Sequence, residues 1–455
     1  MLRPLRPFAA VALAVCSFAG PGCSVFAEDY PAATAAAMRA FEQGRFEQAG
    51  ELFTERSGAL DSDLFLTHAE AGMAWHTAGR PEAALAAWQR AAEVLDGFGD
   101  RPTISGRSAV EGVLSLVVND KTLPYDGEGF EVALLHAFSA WDYLLLGRFD
   151  DAWIEVQRGY ALQTAEESRY ETTYGMNRYA RWLAGLVHEL DGRPDEALLD
   201  LEPLAGELPG NSAVAYALAR VRALDSGDGA PRRQAEIVLV FEEGRMPSKR
   251  PSEFVYNWLG TFGRISVPAY GGGGAGRERV EVLVDGASAG ASVLIEDVVS
   301  VARSNLDDRI GWLTAKSLAR TVGKTVVVEK LAHEAGKEHG FGAALGVKLI
   351  GGLLGLASER ADLRSWRTLP AAVHVLRVPV EPGAHDLAVA LLRGDHRVLT
   401  LELGTREALP GRPVYLTARS LGERMFAWAA GGRTVAAPAS AGAAASDPEP
   451  AFGPN

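Results

Sequence analysis

The sequence predicts an α+β multidomain protein in which an α-solenoid of helical repeats precedes a mixed α/β domain with a small antiparallel sheet or sandwich. A Gly-Arg motif recurs at regular intervals in the first half of the chain. From Arg233 onward, helical periodicity gives way to the apolar–polar alternation that is typical of half-buried strands. The chain has 455 residues, which is enough for two or three domains with a sizeable core.

Residues 1–27 are predicted to be an export signal, because a basic start precedes an apolar run over 8–18 and small residues follow. Two processing sites compete. Ordinary signal peptidase would cleave after Ala27, whereas lipoprotein processing would leave a lipid on Cys23. Cys16 is the one other cysteine, so we expect no disulfide in the mature chain under either alternative.

The formal net charge of −13 bears on the classes of partner. No basic stripe accompanies this acidic balance, so we expect neither nucleic acid nor an anionic lipid surface to be bound through charge. Otherwise the composition is that of a soluble globular protein, with 47% hydrophobic and 23% charged residues.

Residues 28–230 are predicted to form helical repeats. Each motif has Gly-Arg, then Phe or Pro, then an acidic residue, and Ala five places after the Gly. The four motifs are GRFEQA, GRPEAA, GRFDDA and GRPDEA, which begin at Gly44, Gly79, Gly147 and Gly192. The first interval is 35 residues and the second is 68. These intervals are near one and two periods of the tetratricopeptide (TPR) repeat, which is roughly 34 residues long.

The repeat motif has a packing explanation. Each Gly is expected to end one helix in a left-handed turn, which needs no Cβ. The small residues seven places before each Gly, and the Ala five places after it, let two antiparallel helices approach closely. The earlier small residues are Ala37, Gly72, Ala140 and Gly185.

Residues 231–430 are predicted to form the α+β domain, after a linker at 227–233. The segments 235–244, 264–270 and 279–286 alternate as strands, and helices are expected at about 294–309 and 311–333. Further strands follow between 371 and 420 and close the domain. Residues 431–455 are mainly Ala, Gly, Pro and Ser, a composition that predicts a disordered tail.

The segment FGAALGVKLIGGLLGLA, at 341–357, is the most apolar stretch after the signal. It is 17 residues long and contains Lys348, so it is slightly short for a membrane span of about 20 residues. Its paired glycines fit close helix contact in lipid or in protein. We interpret it as a buried or oligomer-facing helix, with membrane insertion as the alternative.

Three stretches carry a family resemblance: VNDKTLPYDGEGFEVALLHAFSAWDYLLLGRFDDAWIEVQR (118–158), VFEEGRMPSKRP (240–251) and ADLRSWRTLPAAVHVLRVPVEPGAHDL (361–387). Together they resemble an uncharacterised family of bacterial TPR-containing envelope lipoproteins. The resemblance implies an exported lipoprotein with helical repeats, no assigned catalytic residues, and lipidation at Cys23. The Gly20-Pro21-Gly22 context departs from a good lipobox, so both processing sites remain open.

The stretch NDKTLPYDGEGFE, at 119–131, interrupts the helical pattern and is the first candidate site. In a structural interpretation, Pro124 ends an extended segment, Asp126 caps the next helix, and Phe130 packs into the core. In a functional interpretation, the stretch projects from a kink in the solenoid and binds a partner. The candidate partner-binding residues here are Asn119, Asp120, Lys121, Tyr125 and Glu128.

The stretch ADLRSWRTLP, at 361–370, is the second candidate site. An exposed Arg364, Trp366 and Arg367 would suit a binding hot spot. Alternatively, Trp366 anchors one part of the fold to another, and the arginines pair with nearby acids such as Asp362.

The catalytic and metal motifs are weak. Ser288 lies in a G-x-S-x-G pattern, but Asp285-Gly286 predicts a hairpin turn rather than the strand–turn–helix of a hydrolase. His374, His385 and His396 could each supply a base. His333 and His339 lie about 240° apart around a helix, so they diverge. We therefore predict no enzyme, no cofactor and no metal.

The predicted function is a non-catalytic scaffold, periplasmic or anchored to the outer membrane, that binds another envelope protein through its repeats. A lipid on Cys23 would attach the protein to the membrane. Formation of a homo-oligomer is compatible with this prediction. One alternative is a membrane-associated assembly or pore subunit that uses the helix 341–357. The other is a hydrolase with Ser288 as nucleophile.

Overall fold

The protein is described by a computed structural model. The described residues are 29–57, 61–99, 124–170, 177–258, 261–272, 276–308, 361–432 and 434–437, together with 329, 330, 333, 334 and 337. Helices occupy the chain up to Arg233, and strands dominate from Ala235 onward. The predicted mixture of α and β structure is confirmed, with the helices first and the sheets second.

The helical part consists of antiparallel hairpins. The helices are α1 (Tyr30–Ala33), α2 (Ala35–Glu42), α3 (Phe46–Ser57), α4 (Leu64–Thr77), α5 (Pro81–Gly99), α6 (Gly129–Leu145), α7 (Phe149–Tyr170), α8 (Arg178–Leu190), α9 (Pro194–Glu207), α10 (Ser212–Asp225) and α11 (Ala230–Arg233). The hairpins are α2–α3, α4–α5, α6–α7 and α8–α9. Each hairpin is centred on one of the Gly-Arg motifs.

One turn recurs in all four hairpins. In the first, the Gly44 N–H donates to the Phe41 carbonyl and the Arg45 N–H donates to the Ala40 carbonyl, both at 2.9 Å. The other three turns repeat this pair of bonds. The pair is a Schellman cap, which satisfies carbonyls that the end of a helix leaves free. The four turn glycines have φ between 70° and 78°, as predicted: Gly44, Gly79, Gly147 and Gly192.

The helices of a hairpin approach each other closely at the small residues. A Cβ added at Gly72 would lie 2.2 Å from Trp88 Nε1, and one at Gly185 would lie 2.6 Å from Leu201 Cγ. Such distances are far below van der Waals contact, so only glycine fits. The predicted packing role of these residues is confirmed.

The strands form two sheets and a ribbon. They are β1 (Ala235–Glu243), β2 (Lys249–Trp258), β3 (Thr261–Tyr270), β4 (Glu278–Val284), β5 (Ala287–Ala291), β6 (Val293–Glu296), β7 (Ala372–Val380), β8 (Gly383–Arg393), β9 (His396–Ala408), β10 (Val414–Leu421), β11 (Arg424–Ala429) and β12 (Val435–Ala437). A six-stranded sheet has the order β12-β11-β10-β1-β7-β6, and a four-stranded sheet has the order β5-β4-β8-β9. β2 and β3 form a separate ribbon.

The sheets differ from the sequence prediction in three respects. The six-stranded sheet is mixed, because β1 pairs parallel with β10 and antiparallel with β7. The tail predicted from 431 is wrong for Val435–Ala437, which pair with β11 as a strand. The helix predicted from about 294 begins only at 298, because Val293–Glu296 pair with β7 as β6.

Strand β1 explains how the layers stack, because it is buried on both faces. Ile237, Leu239 and Phe241 pack with side chains of the four-stranded sheet. Val238 and Val240 point the other way and pack with the helices. Alternate side chains of a strand face opposite sides. The fold therefore has three layers, in which the six-stranded sheet lies between the helices and the four-stranded sheet.

The turn glycines can be tested by adding one methyl group. A Cβ at Gly147 meets no atom within 4 Å, yet its φ is +70°. We expect Gly147→Ala to lower the free energy of unfolding by about 1–2 kcal/mol, through backbone strain alone. Gly206 in α9 has equally open space and a regular backbone. Gly206→Ala should therefore stabilise the full chain by up to about 1 kcal/mol. Urea denaturation measures the free energy of unfolding of both variants. Changes of the same sign in the two variants would refute the role of backbone strain at Gly147.

Candidate functional site

Residues of the stretches 118–158, 240–251 and 361–387 meet at one place between the helices and the sheets. The Lys249 ammonium donates to Glu128 Oε1 at 2.8 Å and to the Arg364 carbonyl at 3.0 Å. Tyr270 Oη donates to Glu128 Oε2 at 2.9 Å. We call this region the junction; it comprises Tyr125, Glu128, Glu131, Lys249, Tyr270, Arg364, Trp366 and Arg367.

The start of α6 positions the acidic side of the junction. Glu128 is the N-cap residue of α6, and the Glu131 carboxylate accepts its backbone N–H at 3.0 Å. Two acidic side chains are thereby held within the first turn, where the helix dipole favours negative charge. The expectation that Asp126 caps this helix is wrong, because the cap lies two residues later. Phe130 is fully buried, as predicted.

Tyr125 is enclosed rather than displayed. Its phenol donates to Glu131 Oε2 at 2.8 Å, and its backbone N–H donates to the Ser62 carbonyl at 2.8 Å. The Arg364 guanidinium lies 5.2 Å from the centre of its ring, a cation–π distance. Burial, and then the neighbouring Glu131, raise the pKa of the Tyr125 phenol well above its usual value, so it remains a neutral donor.

The residues of the 361–370 stretch are buried against the helices. Arg364 pairs with Asp362 at 2.6 Å and with Asp63 at 2.8 Å. The Trp366 backbone N–H donates to Glu131 Oε1 at 2.7 Å. Arg367 lies 3.5 Å from the Glu70 carboxylate. These contacts match the packing interpretation of the stretch.

The structure therefore corrects the expectation of an exposed binding surface at these positions. Tyr125, Glu128, Arg364, Trp366 and Arg367 are each at most 8% exposed. They are covered because Lys249 and the acidic side chains of α4 and α6 supply their partners. Asn119, Asp120 and Lys121 lie outside the described residues.

Within the junction, Glu131 is the carboxyl with a raised pKa. Burial, and then the neighbouring Glu128, raise the pKa of its carboxyl from 4.5 to about 7, against the opposing effects of Lys249 and two backbone N–H groups. A second carboxyl with the same shift is Glu296 on β6, where burial raises the pKa to about 7. Both groups therefore take up a proton near neutral pH in the folded chain.

A second buried cluster joins α4 and α6 to the centre of the six-stranded sheet. His76 Nδ1 lies 2.6 Å from Asp142, and its Nε2 lies 2.6 Å from Glu242. Arg419 on β10 donates to the same Glu242 at 2.7 Å. Burial lowers the pKa of His76, but the two carboxylates outweigh it and raise the pKa to about 10. His76 is thus an imidazolium with both nitrogens engaged and no exposed surface, which suits an ion pair and leaves no room for a substrate.

A third cluster joins α8 to strands β1 and β7 of the same sheet. Arg377 on β7 donates to Glu189 on α8 at 2.7 Å and to Glu236 on β1 at 2.8 Å. Arg220 on α10 reaches Glu189 at 2.9 Å. Each cation has at least one carboxylate partner, which is the condition under which buried charge is tolerated.

Ser288 lies in a β-hairpin, as the Asp285-Gly286 turn predicts. It is on β5, opposite Leu283 of β4, and both turn residues have positive φ. A nucleophile elbow instead leads from a strand directly into a helix. His374 is buried beside Glu243, and His385 bonds to Asp285 at 2.7 Å within the turn region.

The remaining sequence candidates have these outcomes. In the residues that the structure describes, no group of three or more His, Cys, Asp or Glu is arranged to hold a metal ion. Among the helices of the described ranges, none has the length and apolarity needed to cross a bilayer. Cys23, Ala27, His339 and the segment 341–357 lie outside the described residues.

Sequence reasoning missed two features. One is the pairing of His76 with Asp142 and Glu242; the available signal was a charged or polar residue on an otherwise apolar helix face. The other is a cavity of about 300 Å³ between α5, α6 and α7, whose lining includes Trp88 and Tyr143. Its lining residues look like ordinary core positions in the sequence, so nothing in the pattern indicates a cavity.

Comparison of the chain with protein-family models, with curated proteins and with solved structures gives no significant match in any of the three. The resemblance to envelope lipoproteins therefore stays a prediction.

The imidazolium of the second cluster can be tested by removal. We expect His76→Leu to lower the free energy of unfolding by about 3–5 kcal/mol, because Asp142 then stays buried without its cationic partner. His396→Leu, at an exposed position on β9, should change it by less than about 0.5 kcal/mol. Urea denaturation of the full chain measures both, and equal effects would contradict a stabilising role for this ion pair.

The raised pKa of Glu131 predicts a pH dependence. The folded chain holds protons at Glu131 and Glu296 that the unfolded chain releases, so the free energy of unfolding falls as pH rises from about 4.5 through about 7. Glu131→Gln removes one contribution, so we expect a smaller fall between about pH 5 and about pH 8 than in the wild type. Glu202→Gln, at an exposed site on α9, should leave the fall unchanged. An undiminished fall in Glu131→Gln would disprove the assignment.

Proposed function

We propose that this protein is an exported, non-catalytic scaffold that binds another protein of the cell envelope through TPR-like hairpins. The TPR assignment is supported by four hairpins with the same Schellman turn and by the first interval of 35 residues between turn glycines. Repeat arrays of this kind bind peptides or helices and carry no chemistry of their own. The signal-like first 27 residues support export, and lipidation of Cys23 would anchor the scaffold to the outer membrane.

The observation that carries this proposal is that the inner side of the helical layer is closed by the chain's own sheet. Trp141 on α6 donates to Thr417 on β10 at 3.0 Å. Phe46 packs against Phe426 of β11 with ring centres 4.7 Å apart. The groove that a TPR array usually offers to a peptide is therefore filled. We propose that a partner instead binds the outer helices α7 and α9, which are the second helices of the last two hairpins.

The outer helices α7 and α9 display apolar side chains. Of the six exposed large hydrophobic residues among the described side chains, four lie on these two helices. Ile154 and Leu162 are eight residues apart, so they lie about 80° apart on one side of α7. Leu199 on α9 is 76% exposed, and a bond from Tyr160 to Asp200 at 2.7 Å joins the two helices. We propose this outer surface, defined by Ile154, Leu162 and Leu199, as the partner-binding surface.

In-cell photocrosslinking tests the proposed surface. A photoreactive residue at position 199 or 162 should capture one dominant envelope protein, which mass spectrometry would identify. The control is position 51, which is exposed on α3 in the first hairpin and lies outside the proposed surface. The same adducts from position 51, or no adduct from 199 and 162, would overturn the proposal.

A further inference from the structure

A cavity of about 300 Å³ lies between α5, α6 and α7. Its size is at the lower end of the range found for small-molecule sites. It is distinct from the junction. It shares helix α7 with the proposed outer surface, but its lining does not include Ile154, Leu162 or Leu199, and the inference drawn from it does not depend on the proposed function.

Aromatic rings form part of the cavity wall. Trp88 is 1% exposed, and its indole N–H is already satisfied by the Ala69 carbonyl at 3.2 Å. Tyr143 Oη accepts from Gln89 at 3.0 Å, which fixes the phenol at the wall. The Arg148 guanidinium lies 4.6 Å from the centre of the Tyr143 ring, so this ring already attracts a cation.

The charges at the cavity favour a cation over an anion. Glu93, Asp96 and Glu155 line it, against the single positive charge of Arg158. Glu155 is buried and accepts from His136 at 2.7 Å and from Arg158 at 2.9 Å. Glu93 and Asp96 are exposed. Arg158 is the one basic residue among those that line the cavity. The lining therefore has a net formal charge of −2.

Ser139 places a hydroxyl at the cavity wall. Its side chain lines the cavity and is only 3% exposed. Within the described part of the chain its hydroxyl has no hydrogen-bond partner, whereas other buried hydroxyls on helices, such as those of Thr67 and Thr77, bond to a preceding carbonyl. The hydroxyl is therefore available to bond to a molecule that enters the cavity.

We propose that this cavity binds a primary alkylammonium group, from a free diamine or from a lysine side chain. An ammonium has three N–H donors and no acceptor. Ser139 Oγ accepts one of them, and the carboxylates at the cavity accept or neutralise the rest. The alkyl chain packs on Leu85, Ala92 and the Trp88 ring. An anion is disfavoured by the net negative charge, and a neutral alcohol lacks the cation–π and charge interactions.

Calorimetric titration of the purified full chain with three matched five-carbon probes and a lysine amide tests the ligand class. We expect 1,5-diaminopentane or N-acetyl-lysine methylamide to bind at least tenfold more tightly than 1,5-pentanediol or glutarate. Tighter binding of the lysine amide than of the diamine would indicate a partner's side chain, and the reverse would indicate a free amine. Binding of glutarate or pentanediol as tight as that of both amines, or no binding of either amine, would overturn the proposal.

Variants locate the binding. Ser139→Ala should weaken the amine about three- to tenfold, and Asp96→Lys should weaken it more at low salt than at high salt. Glu202→Lys makes the same charge change at an exposed site on α9, away from the cavity. Asp96 is exposed, so we expect Asp96→Lys to fold. This variant therefore still tests the site if Ser139→Ala fails to fold. An equal loss of binding in Asp96→Lys and Glu202→Lys would show that only overall charge matters and would reject the site.

Discussion

The buried ion pairs around Glu242 are the interaction on which the rest of the structure depends. This carboxylate lies on the central strand β1 and is shared by the His76 imidazolium and the Arg419 guanidinium. Charges buried this deeply are costly unless each finds its partner, so one arrangement of α4 against β1 and β10 satisfies them and displaced arrangements do not. The cluster at Arg377 and the junction at Lys249 apply the same constraint elsewhere along the helix–sheet interface.

This constraint changes what the helical repeats can do. An open array of hairpins would leave its inner side for a peptide, but here the six-stranded sheet covers that side. Glu128, Lys249 and Trp366, one from each of the stretches 118–158, 240–251 and 361–387, all lie at the interface between the helices and the sheets. Their role in the described structure is cohesion between layers. The outer helices α7 and α9 keep exposed apolar side chains, and we propose them as the partner-binding surface.

The stretch NDKTLPYDGEGFE now has a physical explanation for its described part. The chain breaks the helical pattern so that Tyr125, Glu128 and Glu131 enter the junction together. Glycine at 127, with φ of +80°, allows the turn that brings them there. Acidic residues at the start of a helix could be predicted to act as caps. Their hydrogen bonds with Lys249 and with the Trp366 N–H could not be predicted, because those donors are distant in the chain.

The sequence by itself determined the four hairpin turns, the change from helix to strand near residue 234, and the turn at Asp285-Gly286. These depend on local properties: the left-handed conformation of glycine, and the spacing of apolar residues. Only the tertiary structure decided which charged residues are buried, since His76 and Glu242 are 166 positions apart. The exposure of the candidate residues, the parallel pairing of β1 with β10 and the cavity beside Ser139 were decided there too. Burial and ion pairing depend on contacts between segments that are distant in the sequence and come together only when the layers pack. Local sequence patterns carry no information about those contacts.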